Sequence, residues 1–171
     1  MSEERASRTL CAWTEVELRA GVGFDCRTPM ELRYDTADPC VVGLAFWLPG
    51  DARVRWNVSR DLLREGLERP VGEGDVRVCP VEPGQSGAPV DDDGGEGAGG
   101  FDGADTGAYG RAVCVVLRSP ADEFALVVKV AALEPFLMRT GLLVPFGEEF
   151  SEAGVGLELE RWLGPGDVRP A

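Results

Sequence analysis

Apolar residues recur at every second position along most of this chain, a period that suits strands with one buried face and few helices. In "TLCAWTEVEL", from residue 9, the alternation puts Leu10, Ala12, Val16 and Leu18 on one face. "MELRYDT" sets Leu32 and Tyr34 against Arg33, and "RVRWNV" sets Val54, Trp56 and Val58 inward against Arg53, Arg55 and Asn57. "GDVRVCP" repeats the pattern with Val76 and Val78 opposite Arg77. "CVVGLAFWL" is nearly all apolar and reads as a central strand. "RAVCVVLRS" and "EFALVVKV" flank the short turn "PAD" and predict a hairpin.

Three helices interrupt this pattern. Ser59 is a good N-cap for "RDLLREGLE", with Asp61 in the first turn and Leu62, Leu63 and Leu67 on one face. A second helix runs through "LEPFLMRTGLLV"; Pro135 suits only a first turn, so its start is expected near Glu134. Gly141 falls inside or ends it. A third, "GLELERWL", is short and is stopped by "GPG". Strand runs with helices inserted, rather than strict βαβ alternation, predict an α+β fold with a largely antiparallel sheet.

One stretch departs from the pattern. Gly84 to Gly110 holds ten glycines in 27 residues, and from Val78 to Gly110 there are seven acids and no base. Such a segment buries too little apolar surface to offset the entropy of ordering. Residues 82–109 are therefore expected to be a disordered, acidic, glycine-rich insertion in a single domain spanning 1–171. "DDDGGEGAGGFDGAD" does not place glycine at the sixth position with acids at one, three and five, so it fails the calcium-loop pattern.

The chain has no histidine, which removes Ser-His-Asp and Cys-His catalysis and every histidine-dependent metal site. Lys129 is the sole lysine, and no GK[ST] exists for a phosphate-binding loop. "GEGDVR" carries two of the three glycines of a dinucleotide fingerprint. The five cysteines form no CxxC pair and are read as buried, reduced thiols. No catalytic activity, metal or cofactor is predicted. A net charge of −13 opposes binding to nucleic acid and to anionic membranes. No apolar run approaches the roughly 18 residues of a membrane helix, and the acidic N-terminus is unlike a signal peptide. The expectation is a soluble, cytoplasmic protein without membrane insertion.

"ELRYDTADPCVV" raises the question of a carboxylate pair, Asp35 with Asp38. The pair lies between two predicted strands, where Asp and Thr cap turns and Pro39 keeps Asp38 extended. A corner is the simpler reading, and a contact with a partner is the other.

"LRYDTADP" and "SRDLLREGLERPVGEGDVRV", at 32–39 and 59–78, resemble the central motifs of the SsgA-like regulators of sporulation and cell division in streptomycetes and their relatives. "FLMRT" at 136–140 is similar to that family's C-terminal helix. The chain departs from the family pattern at Cys40, at Cys79 in place of a usual tryptophan, at Met138 and in the acidic insertion. The resemblance implies antiparallel sheets in a Whirly-like, barrel-like packing with about three helices, assembled as a homo-oligomer, a trimer. It implies a non-enzymatic regulator at the division septum. The regulator would select septum sites, recruit the tubulin-like FtsZ or bind another SsgA-like protein, and remodel septal wall. Asp35, Asp38, Arg60 and Asp61 are the charged motif residues least needed for a core, and so the candidate partner-binding set. The Whirly-like fold also suggests a single-stranded nucleic-acid binder using Arg33, Arg53, Arg55 and Arg77. Tyr34 and Trp56, however, are expected on the opposite face from those arginines.

Overall fold

A computed structural model describes residues 7–21, 24–81 and 110–149. The third helix expected near the C-terminus and the insertion at 82–109 lie outside them. The elements run β1 (Thr9–Ala20), β2 (Phe24–Asp35), β3 (Val41–Trp47), β4 (Arg53–Ser59), α1 (Arg60–Glu65), β5 (Val71–Glu73), β6 (Val76–Val81), β7 (Ala112–Arg118), β8 (Glu123–Lys129) and α2 (Val130–Leu143). The eight strands form one sheet in the order β4-β3-β2-β1-β8-β7-β6-β5, and each neighbouring pair is antiparallel. The expected α+β class is therefore observed, with two helices among the described residues.

Two meanders meet at a seam. β1 pairs with β2 from Thr9↔Asp35 to Ala20↔Phe24, but with β8 only from Glu17↔Val127 to Ala20↔Phe124. The sheet curls about this seam. β3 and β8 are three strands apart, about 14 Å in a flat sheet, yet the Phe46 and Phe124 rings meet edge to face at 5.6 Å. The inward residues of both meanders thus fill a single core that includes Leu18, Leu32, Tyr34, Val42, Leu126 and Val128. β7 is buried on both faces, because Ala112, Cys114 and Val116 belong to a second cluster on the opposite side of β6–β8.

The helices close the concave side. Ser59 Oγ accepts from the Leu62 N–H at 3.3 Å, the cap expected from sequence. Gly66 ends α1 against β6, where a Cβ would stand 2.2 Å from Val78 Cγ1, so only glycine permits the approach. α2 begins at Val130, not near Glu134, and Pro135 lies inside it. The proline is tolerated because Ala131, whose carbonyl it leaves without a helical partner, faces solvent with it. Val130, Leu133, Phe136, Leu137 and Thr140 form the opposite, buried side of α2.

Candidate functional site

The corner after β2 is built by its own polar groups. Asp35 accepts from the Ser7 hydroxyl, from Thr9 Oγ1 at 3.0 Å and from the Ala37 N–H at 2.9 Å. The Asp38 N–H closes the turn on the Asp35 carbonyl at 3.0 Å, and Thr36 Oγ1 accepts from the Arg8 N–H at 2.9 Å. The Ser7 hydroxyl, then the Ala37 N–H, hold the Asp35 carboxyl below the ordinary aspartate range. Asp35 therefore serves the turn, while Asp38 is exposed beside it.

Arg60 departs most from expectation. A surface arginine at a helix start was predicted; the structure buries it, leaving 1% exposed. The correction has a physical origin in α2, which has no basic residue in its last turn. Arg60 supplies that cation from the first residue of α1. Its Nη1 donates to the Thr140 carbonyl at 3.4 Å, the Val144 carbonyl at 2.8 Å and the Tyr34 hydroxyl at 3.0 Å. Nη2 pairs with the Glu149 carboxylate, whose side chain is 7% exposed. The guanidinium also lies 4.2 Å from the Phe146 ring centroid, and Arg64 covers the same ring at 4.6 Å. Burial pushes the Glu149 carboxyl up. Its own N–H and the bond and charge of Arg60 more than offset this, so it sits below the usual range.

The four predicted residues are nevertheless neighbours. Val41 pairs with Ser59, and the Arg60 N–H donates to the Cys40 carbonyl at 2.8 Å. Cys40 is the midpoint: burial first, then the Glu149, Asp38 and Asp61 carboxylates, raise its thiol pKa. Asp61 is exposed and pairs with Arg64 at 3.4 Å. The corner thus presents Asp38 and Asp61 outward from a rigid base of Asp35 and Arg60. A thiol with a raised pKa is a poor nucleophile. No group of three or more potential metal-ligating side chains occurs among the described residues.

A second surface was missed by sequence reasoning. On the outer face of β1–β4, Trp13 stacks on Trp47 at 5.4 Å, and Arg53 lies 5.0 Å from the Trp47 ring. Trp13 is 60% exposed. Thr28 Oγ1 donates to the Trp47 carbonyl at 2.9 Å and fixes the strand end that carries the ring. An open hollow of about 320 Å³ beside Trp13 is lined by Thr14, Glu15, Arg27, Thr28 and Pro29. Arg55, Ala45, Glu31 and Trp13 form one row across four strands, with Asn57, Gly43, Arg33 and Cys11 in the next. The signal was the parity of β1: with Leu10, Ala12 and Val16 inward, Trp13 has to point out. Tyr34 and Trp56 do take the opposite face from the arginines, as expected.

Similarity to known proteins decides what such a scaffold belongs to. The model of "Streptomyces sporulation and cell division protein, SsgA" matches residues 28–97. The Streptomyces coelicolor "Sporulation-specific cell division protein SsgB" is 37% identical over 152 residues, covering 87% of this chain and 93% of that protein. This chain belongs to the SsgA-like family. An SsgB of Frankia casuarinae is 32% identical across 88% of the chain and 92% of its own length. The crystal structure of an SsgA-like sporulation-specific cell division protein from Thermobifida fusca superposes with a TM-score of 0.67 at 26% identity, over 95% of this chain and 98% of that one. A structure described with mutations in the S. coelicolor SsgB that correlate with longitudinal cell division during sporulation gives 0.63 at 35% identity, over 84% and 94%. The SsgA-like chain therefore has a role in sporulation cell division. Its motif residues Tyr34, Arg60 and Thr140 meet in one buried network.

Proposed function

We propose that this SsgA-like chain is a non-enzymatic regulator of sporulation-specific division that acts through protein contacts. It works as a homo-oligomer, a trimer, in the cytoplasm at the division septum. There it selects septum sites, recruits FtsZ or binds another SsgA-like protein, and directs septal wall remodelling. The observation that carries the reading is family membership over most of the chain. The contact surface is the corner of Asp38 and Asp61, held in place by Asp35 and Arg60. Exposed charges at the rigid ends of strands and helices suit partner recognition.

The test replaces both exposed acids, Asp38→Lys with Asp61→Lys, and introduces the variant into a deletion strain. Folding should change by less than about 0.5 kcal/mol, as for most surface positions. Septum spacing and spore chains should not be restored. Normal spacing in that strain would remove the corner from the contact surface. Normal sporulation of the deletion strain itself would remove the division role.

A second reading, single-stranded nucleic-acid binding, gains support from one observation. Trp13 and Trp47 share the outer face with Arg33, Arg53 and Arg55, the stacking-plus-cation arrangement such binders use. Against it, Glu31 and Glu15 lie among those arginines and the chain carries −13 overall. Anisotropy with oligo-dT at about 150 mM salt separates the two: low-micromolar binding, lost in Trp13→Ala, would favour this second reading.

A further inference from the structure

Cys79 on β6 and Cys114 on β7 stand directly opposite each other in the antiparallel register. Opposed residues in such a pair carry Cβ atoms about 4.5–5.5 Å apart, and a disulfide closes at about 3.5–4.5 Å. The remaining gap is within reach of a small strand adjustment. Cys79 Sγ donates to the Cys114 carbonyl oxygen at 3.8 Å, so the Cys79 side chain leans toward its partner. In the β1–β2 register Cys11 faces Arg33 and Cys26 faces Leu18, so neither has a cysteine opposite it.

The pair is asymmetric in the way a dithiol reaction requires. Cys114 is fully buried among Ala112, Val116 and Val127, whereas Cys79 is partly exposed. The neighbouring Cys114 thiol, opposed by burial and aided by the Arg77 charge, lowers the Cys79 pKa to about 7. The neighbouring Cys79 thiol and burial push Cys114 up. Of the two thiols Cys79 is the readier to ionise, and the thiolate is the reactive form.

We propose that Cys79 and Cys114 form a peroxide-oxidisable dithiol that closes reversibly to a cross-strand disulfide. The Cys79 thiolate attacks one oxygen of hydrogen peroxide, the O–O bond breaks, and hydroxide leaves to become water on taking a proton. Cys79 is now a sulfenic acid. Cys114 gives up its proton and its sulfur attacks Cys79 Sγ. The S–O bond breaks, a second water leaves, and the S–S bond forms. Two thiols have lost two electrons and two protons, and one peroxide has become two waters. A dithiol reductant reverses the closure by thiol–disulfide exchange. The product bolts β6 to β7 on either side of residues 82–109.

The test uses the full reduced chain, treated with hydrogen peroxide and then capped with N-ethylmaleimide under denaturing conditions. The expected product is a monomer lighter by about 2 Da before capping, the two hydrogens lost. It takes up two fewer labels than the five cysteines of the reduced chain allow. Peptide mapping should join Cys79 to Cys114, and dithiothreitol should restore five labels. Cys79→Ser should abolish the link, and Cys114→Ser should leave a sulfenic acid at Cys79 that dimedone traps. The rate should fall as pH drops, because the thiolate is the attacking form. Five labels after treatment, a link through Cys11, Cys26 or Cys40, an intermolecular dimer, or oxidation of Cys79 to sulfinic acid with Cys114 intact would overturn the proposal.

Discussion

Replacing Arg60 with methionine tests the account of the buried network. The substitution keeps much of the apolar stem and removes the guanidinium. It strands the Glu149 carboxylate, and it takes the donor from the Tyr34 hydroxyl and from the Thr140 and Val144 carbonyls. Removing one partner of a buried ion pair costs about 3–5 kcal/mol, because the remaining charge is left uncompensated. If Glu149 swings into water, the cost is that of the unsatisfied hydroxyl and carbonyls, about 1–3 kcal/mol each for those that stay buried. Either route gives a loss of at least about 3 kcal/mol, or about 6–12 °C in Tm for a chain of this size. Urea unfolding followed by tryptophan fluorescence measures it, with the m-value unchanged if the native state stays compact. The companion is Glu149→Met. With both charges gone no carboxylate is stranded, so the double variant should be more stable than the two single losses predict, by over about 1 kcal/mol. A loss below about 1 kcal/mol for Arg60→Met, or simple additivity of the pair, refutes the reasoning.

Gly66→Ala should destabilise by about 2 kcal/mol or more in the same assay, because the new methyl would overlap the fully buried Val78; a neutral result would contradict the packing of α1 on β6. Ser59→Ala should cost about 1 kcal/mol through the lost cap, and Ser59→Asp should restore most of it. Asp35 and Glu149 both have folded pKa values below their unfolded ones. Their contribution is fully present above about pH 4–5, the unfolded carboxyl range, and is lost as pH falls through the lowered folded values. Asp35→Asn should therefore be less sensitive to acid than the parent chain in pH-dependent urea unfolding, and an unchanged slope would count against the turn account.

Strand alternation made most of the sheet legible, since each inward set needed only its own neighbours. β5 escaped because Val71–Glu73 is too short to show a period. The start of α2 was misplaced because the rule that confines proline to a first turn assumes no water for the freed carbonyl, and Ala131 has water. Arg60 was unreadable for a different reason: its partners stand 26 to 89 positions away. A charge beside a helix cap looks the same in sequence whether it faces solvent or a distant helix end. The pairing of Cys79 with Cys114 was hidden likewise, since only the register of β6 on β7 brings them together. The nearness of Asp35, Asp38, Arg60 and Asp61 was legible as a shared motif, although their division into turn, anchor and exposed acids was not.

The seam between β1 and β8 sets an order of events for the folding chain. Within each meander, strands pair with the strands next to them in sequence, the longest connection being that from Val81 to Ala112, so each can close at smaller entropic cost than the seam. β1 and β8 are the first and last strands, and their register, with Leu18 opposite Leu126, joins positions more than a hundred residues apart. That contact cannot form until both meanders exist. Refolding should pass its barrier with the seam still open, so that truncating Leu126 accelerates unfolding far more than it slows folding. The same short ladder is where the curled sheet should part first under load, leaving two half-sheets that each keep their own pairing.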